Sequence, residues 1–322
     1  MSGDRQSWDY IVWGYSLDGE IIERIKGQFL EEYVSTTLLE PLGIKGTSFK
    51  LGRLDTKSLP NPMPRFRRNL APPPTPTDFR RYVLRGIWWL FASTNDLITW
   101  ALATLNAIDE SDCKVLEEIP NIISNHAVIL NPSVRERSYG FGWTRIQLPG
   151  VVGIIGGNFR LWSIKDQPIL GNKNLLMLYH QGSTVGYYTH IALFPDTKSA
   201  VIALSSSIAL SDPTDWMLRA KIQALFDFED GQDYVKLVVE ANSRQIAQYA
   251  TLARQVSLKR ESCADPVKSI PLEAFVGKYS PIRTKGTEVF VGGHSRNQLE
   301  AGDSLRHKET DLYTRNITYL PP

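Results

Sequence analysis

Residues Leu175–Ile208 read LLMLYHQGSTVGYYTHIALFPDTKSAVIALSSSI. Apolar and small residues alternate, the chain turns at Pro195-Asp196, and the alternation resumes. A period of two is the mark of a half-buried strand. The stretch therefore predicts three strands, Leu175–Tyr179, Tyr187–Phe194 and Ala200–Ser205, and their short connections make an antiparallel meander. In its middle, His180-Gln181-Gly182-Ser183 sets polar side chains and a bare glycine where a strand prefers bulk. A glycine there marks either a bulge or a place where another group lies against the backbone.

Upstream, WDYIVWGYSLDGEIIERIKG turns helical, with Ile21, Ile22, Ile25 and Phe29 on one face and Asp18 placed to cap. A second helix follows, in which Leu30, Tyr33, Val34, Thr37 and Leu38 repeat at helical spacing before Pro41 and Gly43 end it. Seven prolines between Pro60 and Pro76 exclude regular helix or central strand and predict an extended excursion. Its Arg65, Arg67 and Arg68 read as a solvated face. In STNDLITWALATLNAI, Ser93 or Thr94 caps, Asp96 stands in the first turn, and Leu97, Ala101 and Leu105 form a buried stripe. Residues Tyr139–Ile146, YGFGWTRI, read as one strand, and VVGIIGGNFRLWSIKDQPILGN as irregular strands.

Downstream, DPTDWMLRAKIQALFDF predicts a capped helix with Trp216, Ala220 and Leu225 near one face. A long amphipathic helix follows, with Val235, Val238, Ile246, Tyr249, Ala253 and Val256 as its buried set. The sum is α+β: an antiparallel sheet flanked by helices with a helical lobe, plus a small β-rich tail. The expected divisions are 1–230, a connecting helix over 231–265, and the tail over 266–322.

With 322 residues, 42% hydrophobic and 22% charged, the composition is that of an ordinary globular chain able to build a large core. A net charge of +2 gives no reason to expect nucleic acid or an anionic membrane as partner. No run approaches the ~18 to 20 apolar residues of a membrane span, and the start MSGDRQSWDY has no apolar signal region. Cys113 and Cys263 match no metal or disulfide spacing, so the expected location is reducing and cytoplasmic. The five histidines show no ligand pairing, and Gly153–Gly157 lacks the context of a phosphate loop, so neither metal nor cofactor is expected.

Four blocks together carry a resemblance: GYSLDGEIIERIKGQFLEEYVSTTLLEPLGIKGTSF, RGIWWLFASTNDLITWALATLN, YGFGWTRI and HQGSTVGYYTHIALFPDTKSAVIALSSS. In order and style they resemble the serine β-lactamase/penicillin-binding-protein-like family, in its class C β-lactamase, esterase and D-aminopeptidase-like branch. The likeness runs from about Trp8 to Phe228. It implies a β-lactamase/transpeptidase-like fold and acyl transfer through an acyl-serine. The substrates it implies are small acylated molecules (esters, amides, β-lactams), with some relatives serving specialised metabolism as hydrolases or acyltransferases.

Three motifs serve that chemistry: Ser-x-x-Lys for attack, Tyr-x-Asn or Ser-x-Asn for proton transfer, and Lys-Thr-Gly or His-x-Gly on a wall strand. The wall is matched by His180-Gln181-Gly182. By resemblance the Ser183 backbone N–H is an oxyanion donor, and Gly86, Trp88, Gly182 and Thr184 contact substrate. Tyr15-Ser16-Leu17 stands where Tyr-x-Asn is expected, with a leucine that can neither donate nor accept a hydrogen bond. Tyr15 is left as relay or as a packing tyrosine beside Tyr10 and Trp13. No Ser-x-x-Lys precedes it. Ser111-Asp112-Cys113-Lys114 and Thr47-Ser48-Phe49-Lys50 match by chance spacing only. The expectation is an N-terminally incomplete family member, inactive as given, or a non-catalytic binding or scaffold module that keeps the cleft. Oligomeric state is not legible.

Overall fold

The computed structural model describes residues 8–49, 63–64, 90–109, 114–129, 133–184, 186–229, 231–262, 277–279, 289–294, 298–303 and 317–319. The chain divides into two compact units, Met1–Ala247 and Gln248–Pro322. The proline-rich excursion lies outside the described residues except for β1 (Met63–Pro64), which pairs in parallel with β8 (Ser207–Ile208).

The first unit is built on a six-stranded antiparallel sheet. Its strands are β2 (Ala127–Val128), β3 (Arg137–Tyr139), β4 (Thr144–Val151), β5 (Ile169–Thr184), β6 (Tyr187–Phe194) and β7 (Ser199–Ser205), neighbours in that order. The meander read from Leu175–Ile208 is β5, β6 and β7. Alternation along them divides two cores. On one face Met177, Tyr179, Ala192, Phe194, Val201 and Ala203 meet α5 (Pro213–Leu225) and the start of α6 (Tyr234–Ser262). On the other, Leu178, Leu193 and Trp143 meet α3 (Thr94–Asp109) with Leu116 and Ile119.

Helix starts follow side-chain chemistry. Ser93 Oγ accepts the Asp96 N–H (3.1 Å) at the head of α3. Asp212 Oδ1 accepts the N–H groups of Thr214 (3.0 Å) and Asp215 (3.2 Å) at the head of α5, with Pro213 in the first turn. The turn between β6 and β7 puts Lys198 in the left-handed region (φ 51°). Its ammonium is held there by the Leu105 carbonyl (2.8 Å) and the Asp109 carboxylate.

Several elements depart from the sequence reading. Helix α1 (Val12–Lys26) begins before Asp18, which therefore sits mid-helix and caps nothing. Its buried residues are Ser16 and Gly19, while Ile21, Ile25 and nearby Phe29 are exposed. The second helix is regular only over α2 (Leu30–Val34). It widens to a π-turn at Ser35–Leu39, where the Thr36 and Thr37 hydroxyls donate to carbonyls of the preceding turn. A short α4 (Ile119–Ile122) lies under Trp143. YGFGWTRI is a hairpin, not one strand: Gly142 takes φ 84° and the Gly140 N–H bonds the Trp143 carbonyl (2.8 Å). The 152–168 stretch forms 3-10 turns at Gly157–Leu161 and Ile164–Asp166 in place of strands.

In α5 the buried residues are Thr214, Asp215, Trp216, Leu218, Arg219 and Ile222, and Leu225 is exposed. In α6 only Tyr234 and Ala241 are buried, while Val235, Ile246, Tyr249 and Val256 stand exposed. The second unit holds a four-stranded antiparallel sheet, in order β12 (Ile317–Tyr319), β11 (Gln298–Asp303), β10 (Val289–His294), β9 (Gly277–Tyr279). Among the described residues no helix is long and apolar enough to cross a membrane.

Candidate active site

Strand β5 is far longer than Leu175–Tyr179, so the polar knot lies inside it. Register with β6 is unbroken from Leu178↔Leu193 through Gln181↔His190 and Gly182↔Thr189 to Thr184↔Tyr187. Gly182 therefore serves no bulge. Nor does packing demand it: a Cβ there would meet only Thr189 Cβ at 3.8 Å, an ordinary contact. On the opposite side, β4 begins at Thr144, which pairs with Tyr179. Residues 180–184 thus overhang β4. Alternate residues of an antiparallel strand turn N–H and C=O to opposite sides, so part of this backbone faces an edge that β4 does not cover. The exposed Gly182 and Ser183 lie on that overhang.

His180 leaves the overhang toward a cluster of phenols. Its Nε2 lies 3.3 Å from Tyr139 Oη, at the end of β3, and Tyr139 Oη lies 3.0 Å from Tyr15 Oη on α1. Tyr10, one turn ahead of α1, sets its ring 5.8 Å from His180 and 6.4 Å from Tyr139, and Trp8 packs 5.1 Å from Tyr139. Burial pushes His180 down to about 4, opposed by a backbone hydrogen bond at Gln181. Burial raises Tyr139 well above the ordinary phenol value, aided by its bond to Tyr15, and raises Tyr10 as well. The line at neutral pH is therefore uncharged. A neutral imidazole accepts at one nitrogen only, which lets Tyr139 donate to Nε2 and Tyr15 donate to Tyr139. Such a line can pass a proton between solvent and the strand, and it can orient a polar group lying on the overhang.

The structure brings together Tyr15, His180, Gly182, Ser183 and Thr184 through α1 and β5. Gly86 and Trp88 lie outside the described residues, as do Ser111, Asp112, Cys113 and Lys50. Thr47 spends its hydroxyl on Asp96 (2.8 Å). Sequence reasoning missed Tyr139, and it gave Tyr10 no role beyond packing. Tyr139 is adjacent to the glycines of the hairpin, and that was the available signal. A separate serine–histidine pair, Ser124 Oγ and His126 Nε2 at 3.0 Å, is structural. The same nitrogen stands 2.7 Å from the Asn121 carbonyl and so must carry the proton. Among the described residues no group of three or more His, Cys, Asp or Glu side chains is arranged to hold a metal ion.

The family description Beta-lactamase matches residues 4–224. The chain belongs to the β-lactamase family. Similar solved structures include an octameric penicillin-binding protein homologue from Pyrococcus abyssi, 19% identical over 92% of this chain and 53% of that one, with a TM-score of 0.49. A class C β-lactamase is 16% identical over 69% and 58% of the two chains (TM-score 0.48), and a mutant of a class C β-lactamase is 16% identical over 67% and 57% (TM-score 0.47). This β-lactamase-family chain thus spans between 53% and 58% of the length of these structures. No curated protein matches it. Of the aliphatic hydroxyls next to the cluster in sequence, Ser16 is turned into the core, Ser138 is buried and bonded to the Glu136 carboxylate, and Ser183 stands exposed on the β5 overhang.

Proposed function

We propose that this β-lactamase-family chain forms the wall and the proton line of an acyl-transfer site for a small acylated substrate, an ester, amide or β-lactam. One observation supports this above the others: the Tyr15–Tyr139–His180 line ends on a strand overhang whose glycine is exposed and not required by packing. In this reading the acyl group lies along Gly182 and Thr184, the Ser183 N–H steadies the developing oxyanion, and His180 with Tyr139 moves the proton. The same reading holds that these residues form no acyl-serine, because among the described residues the groups lined up on His180 are phenols rather than a serine beside an amine.

The experiment is to incubate the purified chain with a fluorophosphonate and with labelled penicillin, then with a panel of acylated natural products for binding. Saturable, non-covalent binding of an acylated compound, lost in Gly182→Val, is expected. Stoichiometric covalent labelling of one serine would overturn the claim of inactivity, and absence of any binding would overturn the site. A second reading, a non-catalytic ligand-binding module, is favoured by the raised phenols of Tyr10 and Tyr139, which hold no negative charge for base chemistry at neutral pH. A panel member that binds but is returned unchanged selects it.

A further inference from the structure

Behind the wall, β5 presents its other face. Gln181 points away from His180 and Gly182 and pairs in register with His190 on β6. His190 is fully buried and Gln181 is 7% exposed. Neither the amide nitrogen nor the amide oxygen of Gln181 has a protein hydrogen-bond partner, and neither ring nitrogen of His190 has one. Four polar atoms on two cross-strand neighbours are thus unsatisfied in the interior, where such atoms are nearly always paired.

The surrounding protein groups are already committed. Asp215 Oδ1 stands 3.9 Å from His190 Nδ1, beyond hydrogen-bond reach, and takes Arg219 Nε at 2.9 Å. Asp215 Oδ2 takes Asn158 Nδ2 at 2.9 Å and Arg219 Nη2 at 3.2 Å. Tyr179, its ring 5.7 Å from His190, uses its hydroxyl on the N–H groups of Gly153 (3.1 Å) and Ile154 (3.3 Å). Gly156 closes the layer from above, so tightly that a Cβ there would meet Gln181 Nε2 at 2.4 Å. Burial pushes His190 down to about 3, so it is neutral and offers one donor and one acceptor.

We propose that this layer is an internal water site, in which ordered water bound by Gln181 and His190 ties β5 to β6. Water supplies both donors and acceptors, as buried water in proteins does for polar groups that lack protein partners. The site is independent of the acyl-transfer reading and stands or falls without it.

The test uses the full chain. In the wild type, water cross-peaks to the Gln181 side-chain amide protons are expected in NOE and ROE spectra, and magnetic relaxation dispersion should count a long-lived water. The Gln181→Met/His190→Leu double variant should lose that water while melting no lower than the His190→Leu single variant, which leaves the amide unpaired. If the double variant fails to fold, the wild-type spectra decide alone. Absence of the cross-peaks in the wild type overturns the proposal, and so does a direct Gln181–His190 hydrogen bond seen as a scalar coupling.

Discussion

At the residue scale, two glycines differ in what packing demands of them. Gly140 and Gly182 flank the same cluster, one beside Tyr139 and one beyond His180. A Cβ at Gly140 would stand 2.3 Å from the Ile122 carbonyl oxygen and 2.9 Å from that of Ser124, both backbone atoms that cannot swing aside. Gly140→Ala should therefore lower the melting temperature by several degrees, whereas Gly182→Ala should leave it unchanged, and differential scanning calorimetry on the two variants checks both. Tyr139 carries a second prediction. Its hydroxyl lies 3.3 Å from Nε2 of His180, whose titration burial holds down, and a hydroxyl that donates to the neutral ring favours that form further. In Tyr139→Phe the His180 titration, followed by the ring Cε1 proton in NMR, should move up from about 4 toward the ordinary histidine value. An unmoved titration would show that the bond is not made in solution.

At the element scale, legibility followed packing. Strands β5 to β7 and helix α3 were readable where a neighbouring layer presses on them: Met177–Tyr179, Ala192–Phe194, Val201 and Ala203 of the strands are buried, as are Ala101 and Leu105 of the helix stripe, while Leu97 is only half-buried. The knot His180–Gly182 was readable as a polar interruption of a strand, but its neighbour Tyr139 was not. A hairpin tip brings Tyr139 to His180 across 41 residues, and no local period encodes that meeting. Helix α1 was legible as a helix, but its start and its covered face were not. Sequence shows which face is apolar, not what covers it, and Trp13, Leu17 (63% exposed), Ile21 and Ile25 (73%) form a bare stripe at four-residue spacing. Exposed apolar stripes of this kind promote association. Leu17→Glu together with Ile25→Lys replaces only exposed side chains and should leave the melting temperature unchanged, as calorimetry would show. At the head of α5 the Asp212 cap predicts a cost of about 1 kcal/mol for Asp212→Ala, typical of a lost cap. Asp212→Asn, which keeps an acceptor for Thr214 and Asp215, should lose less by urea denaturation.

At the scale of the whole molecule, the buried titratable groups set how stability answers pH. Burial lowers His180 to about 4 and His190 to about 3, below the histidine value of the unfolded chain. As pH falls below about 6.5, the unfolded chain takes up two protons that the fold refuses, so the stabilisation present at neutral pH is lost progressively down to those folded values. Asp212 acts in the opposite sense. Burial first, then the charge of Asp215, raises it to about 6, so the fold accepts a proton that the unfolded chain does not hold between about 4 and 6. Its contribution is present at low pH and is lost as pH rises through about 6. Two imidazoles against one carboxyl leave a net loss on acidification, which the remaining aspartate cannot cancel because His190 extends the window below the range in which Asp212 titrates. The urea midpoint should therefore be flat above pH 7 and fall steadily from pH 6.5 to pH 4. In His190→Leu the slope over that range should shrink, since one of the two refused protons is gone. In Asp212→Asn it should steepen, because the opposing carboxyl has been removed. An unchanged slope in His190→Leu would mean that His190 titrates near the ordinary histidine value in the folded chain, and the buried polar layer behind β5 would then have to be open to bulk solvent.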